Sequence, residues 1–283
     1  MNRAEIEKTI EPIIQKCRRK FAPGYSETED SPDTDEPLRP ETRRVSLIAS
    51  LAESVLGSDF VGRGLEVGSG YGCLLFPMAS LFPKIQWFAI EHPDQPHASR
   101  ESYRSMFRSY NCHLETADLL REPFPFPNDY FALVTFSEVL EHLPTDRVNL
   151  VLSEIARTIR PGGVLIASSP NQASLENRLR LMKGKSILDM PNEIGKGIFG
   201  HIRLYTPAEI QSAMSKRGFT LERCEMESNN SGYRGNSDRS WVRRVHRMYK
   251  YLESELGVVD SLGDTWHMAF RKTAANSTGA SNH

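Results

Sequence analysis

Leu65-Glu66-Val67-Gly68-Ser69-Gly70-Tyr71-Gly72 is the stretch on which the reading turns. A short apolar run carries one acid, and glycine then recurs at every second position. Leu74, Leu75, Phe76 and Met78 follow with helical spacing, so the segment reads as strand, tight turn, helix. Glycines at 68, 70 and 72 permit unusual dihedrals and let a ligand come close to the main chain. A helix starting just beyond them would add free N–H groups and the positive end of its dipole. A dinucleotide fingerprint is broken by Cys73, which stands where its third glycine belongs, and no Gly-Lys-Ser/Thr ending makes a phosphate loop.

Moving outward, Ile85-Gln86-Trp87-Phe88-Ala89-Ile90 is a second buried strand ending in Glu91. That acid lies about twenty residues past the turn, where nucleotide-binding α/β folds place a carboxylate for ribose hydroxyls. Residues 97–110 read as helix, Cys112–Thr116 as a third strand with Asp118 just beyond, and Phe131–Phe136 as a fourth. The fourth is apolar enough for a sheet covered on both faces. A helix over Arg147–Ile159 then leads through Arg160-Pro161-Gly162-Gly163 to the strand Val164–Ser169.

The E-x-G-x-G-x-G spelling at Glu66–Gly72, with the elements that follow to about residue 170, resembles class I S-adenosylmethionine (SAM)-dependent methyltransferases, in the branch holding ubiquinone-pathway O-methyltransferases. The resemblance implies an α/β fold: a doubly wound, mainly parallel seven-stranded Rossmann-like sheet with one antiparallel strand near its edge. It also implies that Gly68 and Gly70 pack on the methionine part of SAM and that Glu66 orients its amino group. Asp118, with the backbone of Leu119, would contact the adenine.

Glu138-Val139-Leu140-Glu141-His142 follows the fourth strand directly, where ligands of open sheets gather. One helical turn there would put Glu138, Glu141 and His142 on one face, suited to Mg²⁺ or Mn²⁺. With His201, this E-x-x-E-H pattern resembles the metal site of methyltransferases acting on the terminal ribose of small RNAs. The resemblance implies Glu138, Glu141, His142 and His201 as metal ligands, with Glu138 and His142 catalytic. Without a metal, Glu138 and Glu141 favour a helix N-terminus and His142 is a structural or general-base histidine.

The 283 residues divide into an N-terminal helix and acidic connector (1–40), a methyltransferase domain (41–273) with insertions near 171–200 and 228–262, and a tail (274–283). A helix over Arg239–Leu256 crowds Arg239, Arg243, Arg244, Arg247 and Lys250, a solvated face or an anion contact for a phosphorylated acceptor. Formal net charge is −1, which argues against nucleic acid as partner, and no apolar run reaches spanning length. Four scattered cysteines, Cys17, Cys73, Cys112 and Cys224, and a charged N-terminus fit a cytoplasmic protein with reduced thiols. The expected activity is O-methylation of a small hydroxylated acceptor: a sugar, a nucleotide-linked sugar or a catechol-like diol. A metal-free enzyme using His142 as base, a non-catalytic SAM-binding module and an NAD-linked oxidoreductase are the competing readings.

Overall fold

The computed structural model describes residues 2–21, 39–57, 59–188, 200–227 and 262–274. The expected acidic connector, the loop over 189–199, the basic helix over 239–256 and the tail past 274 lie outside those residues. Seven strands form one sheet: β1 (Gly62–Val67), β2 (Ile85–Glu91), β3 (Cys112–Thr116), β4 (Phe131–Ser137), β5 (Ile159–Pro170), β6 (Phe219–Glu227) and β7 (Thr265–Lys272). Their order is β3-β2-β1-β4-β5-β7-β6, and β7 alone runs antiparallel to its neighbours. This is the Rossmann-like sheet of the methyltransferases.

Burial explains the strand sequences. Phe131 through Phe136 are all buried, because β4 lies mid-sheet with helices on both faces. One face is covered by α1 (Arg3–Phe21), α2 (Arg39–Leu56), α3 (Leu75–Leu81) and α4 (Glu101–Ser109), whose Ile10, Ile14, Ile48, Phe76 and Tyr103 form one core with Leu133 and Ile166. The other face is covered by α5 (Val148–Thr158) and α7 (Pro207–Ser215), with α6 (Leu175–Met182) following β5. Ile155, Ile210 and Met214 pack there against Val134, Leu165 and Phe270.

Two local features depart from the expected pattern. Strand β5 starts at Ile159, ahead of the Pro-Gly-Gly turn, with a register shift opposite Phe131 and Leu133. After β4 there is no α-helical turn: a 3₁₀ turn covers only Leu140–His142, and Glu138 before it has φ 56°. Thr206 caps α7 in a reciprocal capping box with Glu209, with Pro207 at the first turn.

Candidate active site

Strand order reverses between β1 and β4, and ligands of open α/β sheets bind in the crevice at that switch. The turn after β1 and the loop after β4 wall it. Gly68, Gly70 and Gly72 all have positive φ, yet they are glycine for different reasons. A Cβ on Gly68 would stand 2.6 Å from Val139 of the facing loop, and one on Gly72 would stand 2.2 Å from the Phe76 ring. A Cβ on Gly70 would meet nothing within 4 Å. That open space over a backbone unit is the cradle a ligand needs for main-chain contact. Helix α3 has seven residues, so the turn itself, more than a long helix dipole, shapes the site.

Three predicted cofactor acids border the crevice. Glu66 is buried on β1 with Oε2 unpartnered. Burial, then the nearby Glu91, pushes its carboxyl well above the ordinary carboxylate range. A buried polar atom without a partner is costly, and a ligand ammonium would satisfy this one. Glu91 ends β2 against the glycine turn, its Oε2 accepting from Gly70 N at 2.5 Å and its Oε1 from His92 N at 2.8 Å. Asp118 follows β3, accepting from Leu120 N at 2.9 Å, with His92 Nε2 3.8 Å away. Leu119 beside it is half-buried against the core. These residues therefore sit in sequence along the carboxyl ends of β1, β2 and β3.

The acceptor side of the crevice is built by the loop after β4. Glu141 is fully buried, its Oε2 accepting from Ser169 Oγ at 3.0 Å and its Oε1 unpartnered. Burial, then the charge of Glu138, pushes the Glu141 carboxyl up to about 8. The Glu141 carbonyl accepts from Ile202 N at 2.7 Å, which docks the distant segment and brings His201 in. His142 and His201 rings lie 5.1 Å apart, and one ligand atom from each of Glu141, His142 and His201 falls within 4.8 Å of the others. Glu138 is not part of that group. Its left-handed backbone turns it toward Ser168 Oγ, which donates at 3.1 Å, and toward Arg44, 3.8 Å away.

Sequence reading missed several residues that this geometry brings in. Arg44 of α2 stands among Glu41, Glu66, Glu138, Glu141 and Glu227. Burial alone would lower its pKa, but Glu138 and then Glu41 keep it raised. Its Nε is buried and unpartnered. The pair Arg43-Arg44 looks like solvated helix surface, so no local signal marks it. Ser168 and Ser169, both fully buried on β5, support Glu138 and Glu141 from opposite faces of the sheet. Tyr103 of α4 donates to the Gly70 carbonyl at 2.6 Å and so braces the turn.

A Rossmann-like sheet with a ligand cradle at its switch point and carboxylates on both sides defines a class I, SAM-dependent methyltransferase. The chain belongs to the family described as "Methyltransferase domain", which it matches over residues 35–223. Among curated proteins it is similar to the tRNA N(3)-cytidine methyltransferase METTL2 of Mus musculus, 24% identical over 191 residues covering 66% of this chain and 47% of that protein. It is also similar to methyltransferase str3 of Strobilurus tenacellus, 33% identical over 102 residues covering 36% of this chain and 33% of the other. The chain thus spans about half the length, or less, of these relatives. In fold it is similar to a SAM-dependent methyltransferase from Archaeoglobus fulgidus, with a TM-score of 0.52 and 16% identity over 83% of this chain and 98% of that one. Among the described residues no helix is long and apolar enough to cross a membrane.

Proposed function

We propose that this methyltransferase acts on a hydroxyl of a small polar acceptor, a sugar, nucleotide-linked sugar or catechol-like diol, held against Glu141, His142 and His201. Bound SAM supplies an activated methyl group. Glu66 pairs with its amino group, Gly68 and Gly70 accommodate its methionine part, Glu91 takes the ribose hydroxyls, and Asp118 with Leu119 faces the adenine. Arg44, the cation beside Glu66 and Glu138, would supply the counter-charge for the cofactor's carboxylate. The remaining task is to align an acceptor oxygen with the methyl carbon and relieve it of its proton, and alignment of that kind contributes several kcal/mol.

The observation that carries the acceptor reading is Glu141: a fully buried carboxylate with one free oxygen facing two imidazoles. Glu141, His142 and His201 would hold a divalent cation such as Mg²⁺ or Mn²⁺, with Glu138 beside them as a countercharge. A cation there would lower the pKa of a bound hydroxyl. His142 Nδ1 lies 3.3 Å from the Gly200 carbonyl, which favours the tautomer with its proton on Nδ1. The same tautomer serves the second reading, in which His142 alone is the base and no metal takes part. On this reading the chemistry is of the kind proposed from the resemblance to ubiquinone-pathway and small-RNA O-methyltransferases.

On this reading residues 41–273 are the catalytic domain, with insertions near 171–200 and 228–262, and residues 1–40 precede it with helix α1 packed into its core. The free cysteines suit a cytoplasmic setting. The test is methyl transfer from labelled SAM to a metabolite pool and, in parallel, to a small-RNA pool, each with and without EDTA. A methylated diol formed only with Mg²⁺ or Mn²⁺ supports the metal reading, and full activity in EDTA leaves His142 as base. A methylated cytidine in the RNA pool, the activity in METTL2's name, would replace the acceptor assignment.

A further inference from the structure

Both oxygens of Glu91 are engaged in this structure. His92 N donates to Oε1, while Gly70 N donates to Oε2 at 2.5 Å with Ser69 Oγ at 3.5 Å. A ribose diol donates its hydroxyls to a carboxylate, so a ligand reaching Glu91 competes with Gly70 N–H for Oε2. A further donor beside that oxygen would hold the carboxylate in the pose a ribose needs.

One stands ready. His97, in the loop between β2 and α4, is buried, and its Nε2 lies 3.7 Å from Glu91 Oε2 with no hydrogen-bond partner. At 3.7 Å this is proximity, not a hydrogen bond. The ring is wedged between Tyr71 of the glycine turn (centroids 5.0 Å apart) and Tyr103 of α4 (4.9 Å, edge-on). Tyr103 in turn is tied to the Gly70 carbonyl and contacts Ser69 Oγ at 3.1 Å. The imidazole is therefore fixed, and the carboxylate is the partner that moves. Packing alone would explain an aromatic ring at position 97, but not a polar nitrogen buried unbonded beside a carboxylate.

We propose that His97 is a positioning residue of the cofactor-ribose subsite, donating from Nε2 to Glu91 Oε2 once a ribose diol displaces the Gly70 N–H contact. The inference rests on the ribose role of Glu91, and its test separates the two. S-adenosylhomocysteine (SAH) and its 2′-deoxy analogue are titrated calorimetrically into wild type, His97→Phe and His97→Gln. Wild type is expected to favour SAH by about tenfold or more, the weight of a hydrogen bond to a charged group. His97→Phe keeps the ring packing and loses that preference, with analogue affinity unchanged within about twofold, and His97→Gln restores part of it. A wild-type preference that persists in His97→Phe, or an equal loss for both ligands, overturns the proposal alone. No preference in wild type overturns the ribose role of Glu91 as well. Should His97→Phe not fold, nitrogen NMR of the wild-type imidazole decides. SAH should shift the His97 Nε2 resonance toward a hydrogen-bonded N–H, and an unmoved resonance overturns the proposal.

Discussion

Replacing Gly70 by alanine separates a glycine kept for a ligand from one kept for packing. In the free protein the new methyl enters open space, so the cost is the left-handed backbone at φ 49° alone, about 1 kcal/mol. For a chain of this size that lowers the unfolding midpoint by roughly 2–4 °C. Gly72→Ala is the control. Its methyl would lie 2.2 Å from the fully buried Phe76 ring, which stacks on Tyr110 and meets Phe107 edge-on. Overpacking adds about 1–3 kcal/mol to the backbone penalty, for a drop of roughly 10 °C. Saturating SAH at about a hundred times its Kd should stabilise wild type by about 2.7 kcal/mol. If the alanine methyl weakens SAH tenfold, the same concentration gives Gly70→Ala only about 1.4 kcal/mol, and less if affinity falls further. Thermal unfolding of the three proteins with and without SAH reads all of this. The reasoning is refuted if Gly70→Ala keeps the full SAH shift, or if it unfolds as early as Gly72→Ala.

Further outcomes follow from the same geometry. Arg44→Met should weaken SAH at least tenfold, measured by calorimetry, because it removes the cation beside Glu138 and in reach of Glu66 and Glu141. His201→Ala and Glu141→Gln should each weaken Mn²⁺ binding by about tenfold or more, followed by paramagnetic relaxation, while SAH affinity stays near wild type. The raised pKa of Glu66 means that the folded protein keeps a proton the unfolded chain releases above the ordinary carboxylate range. The Glu66 contribution to ligand-free stability should therefore fall as pH rises through that window, by at most about 1.4 kcal/mol per pH unit. Glu66→Gln should remove that part of the slope in denaturant titrations while the part due to Glu141 remains. Thr206→Ala breaks the capping box of α7 and should cost about 1 kcal/mol in the same assay without changing SAH affinity.

What was legible in the sequence was whatever nearby residues decide. The apolar runs of β2 and β4 and the turn glycines depend on short-range pattern, and they stand where the pattern puts them. The antiparallel placement of β7 between β5 and β6 has no local signature and came from family resemblance. The segment after β4 misled for a physical reason: Glu138 N donates to the Ser168 carbonyl of β5, and a left-handed residue bonded to the neighbouring strand cannot begin an α-helical turn. Arg44 and His97 were invisible because their meaning comes from carboxylates brought to them by other elements. His201 was flagged only by pattern, and the backbone bond from Ile202 to Glu141 is what delivers it.

The central claim is that the crevice between the glycine turn and the loop after β4 is a SAM site. Calorimetric titration of metal-free wild-type protein with SAM, and separately with NAD, tests it most directly. One SAM per chain, with no measurable NAD binding, is the predicted result. No heat of binding with SAM, or NAD bound as tightly, would contradict it.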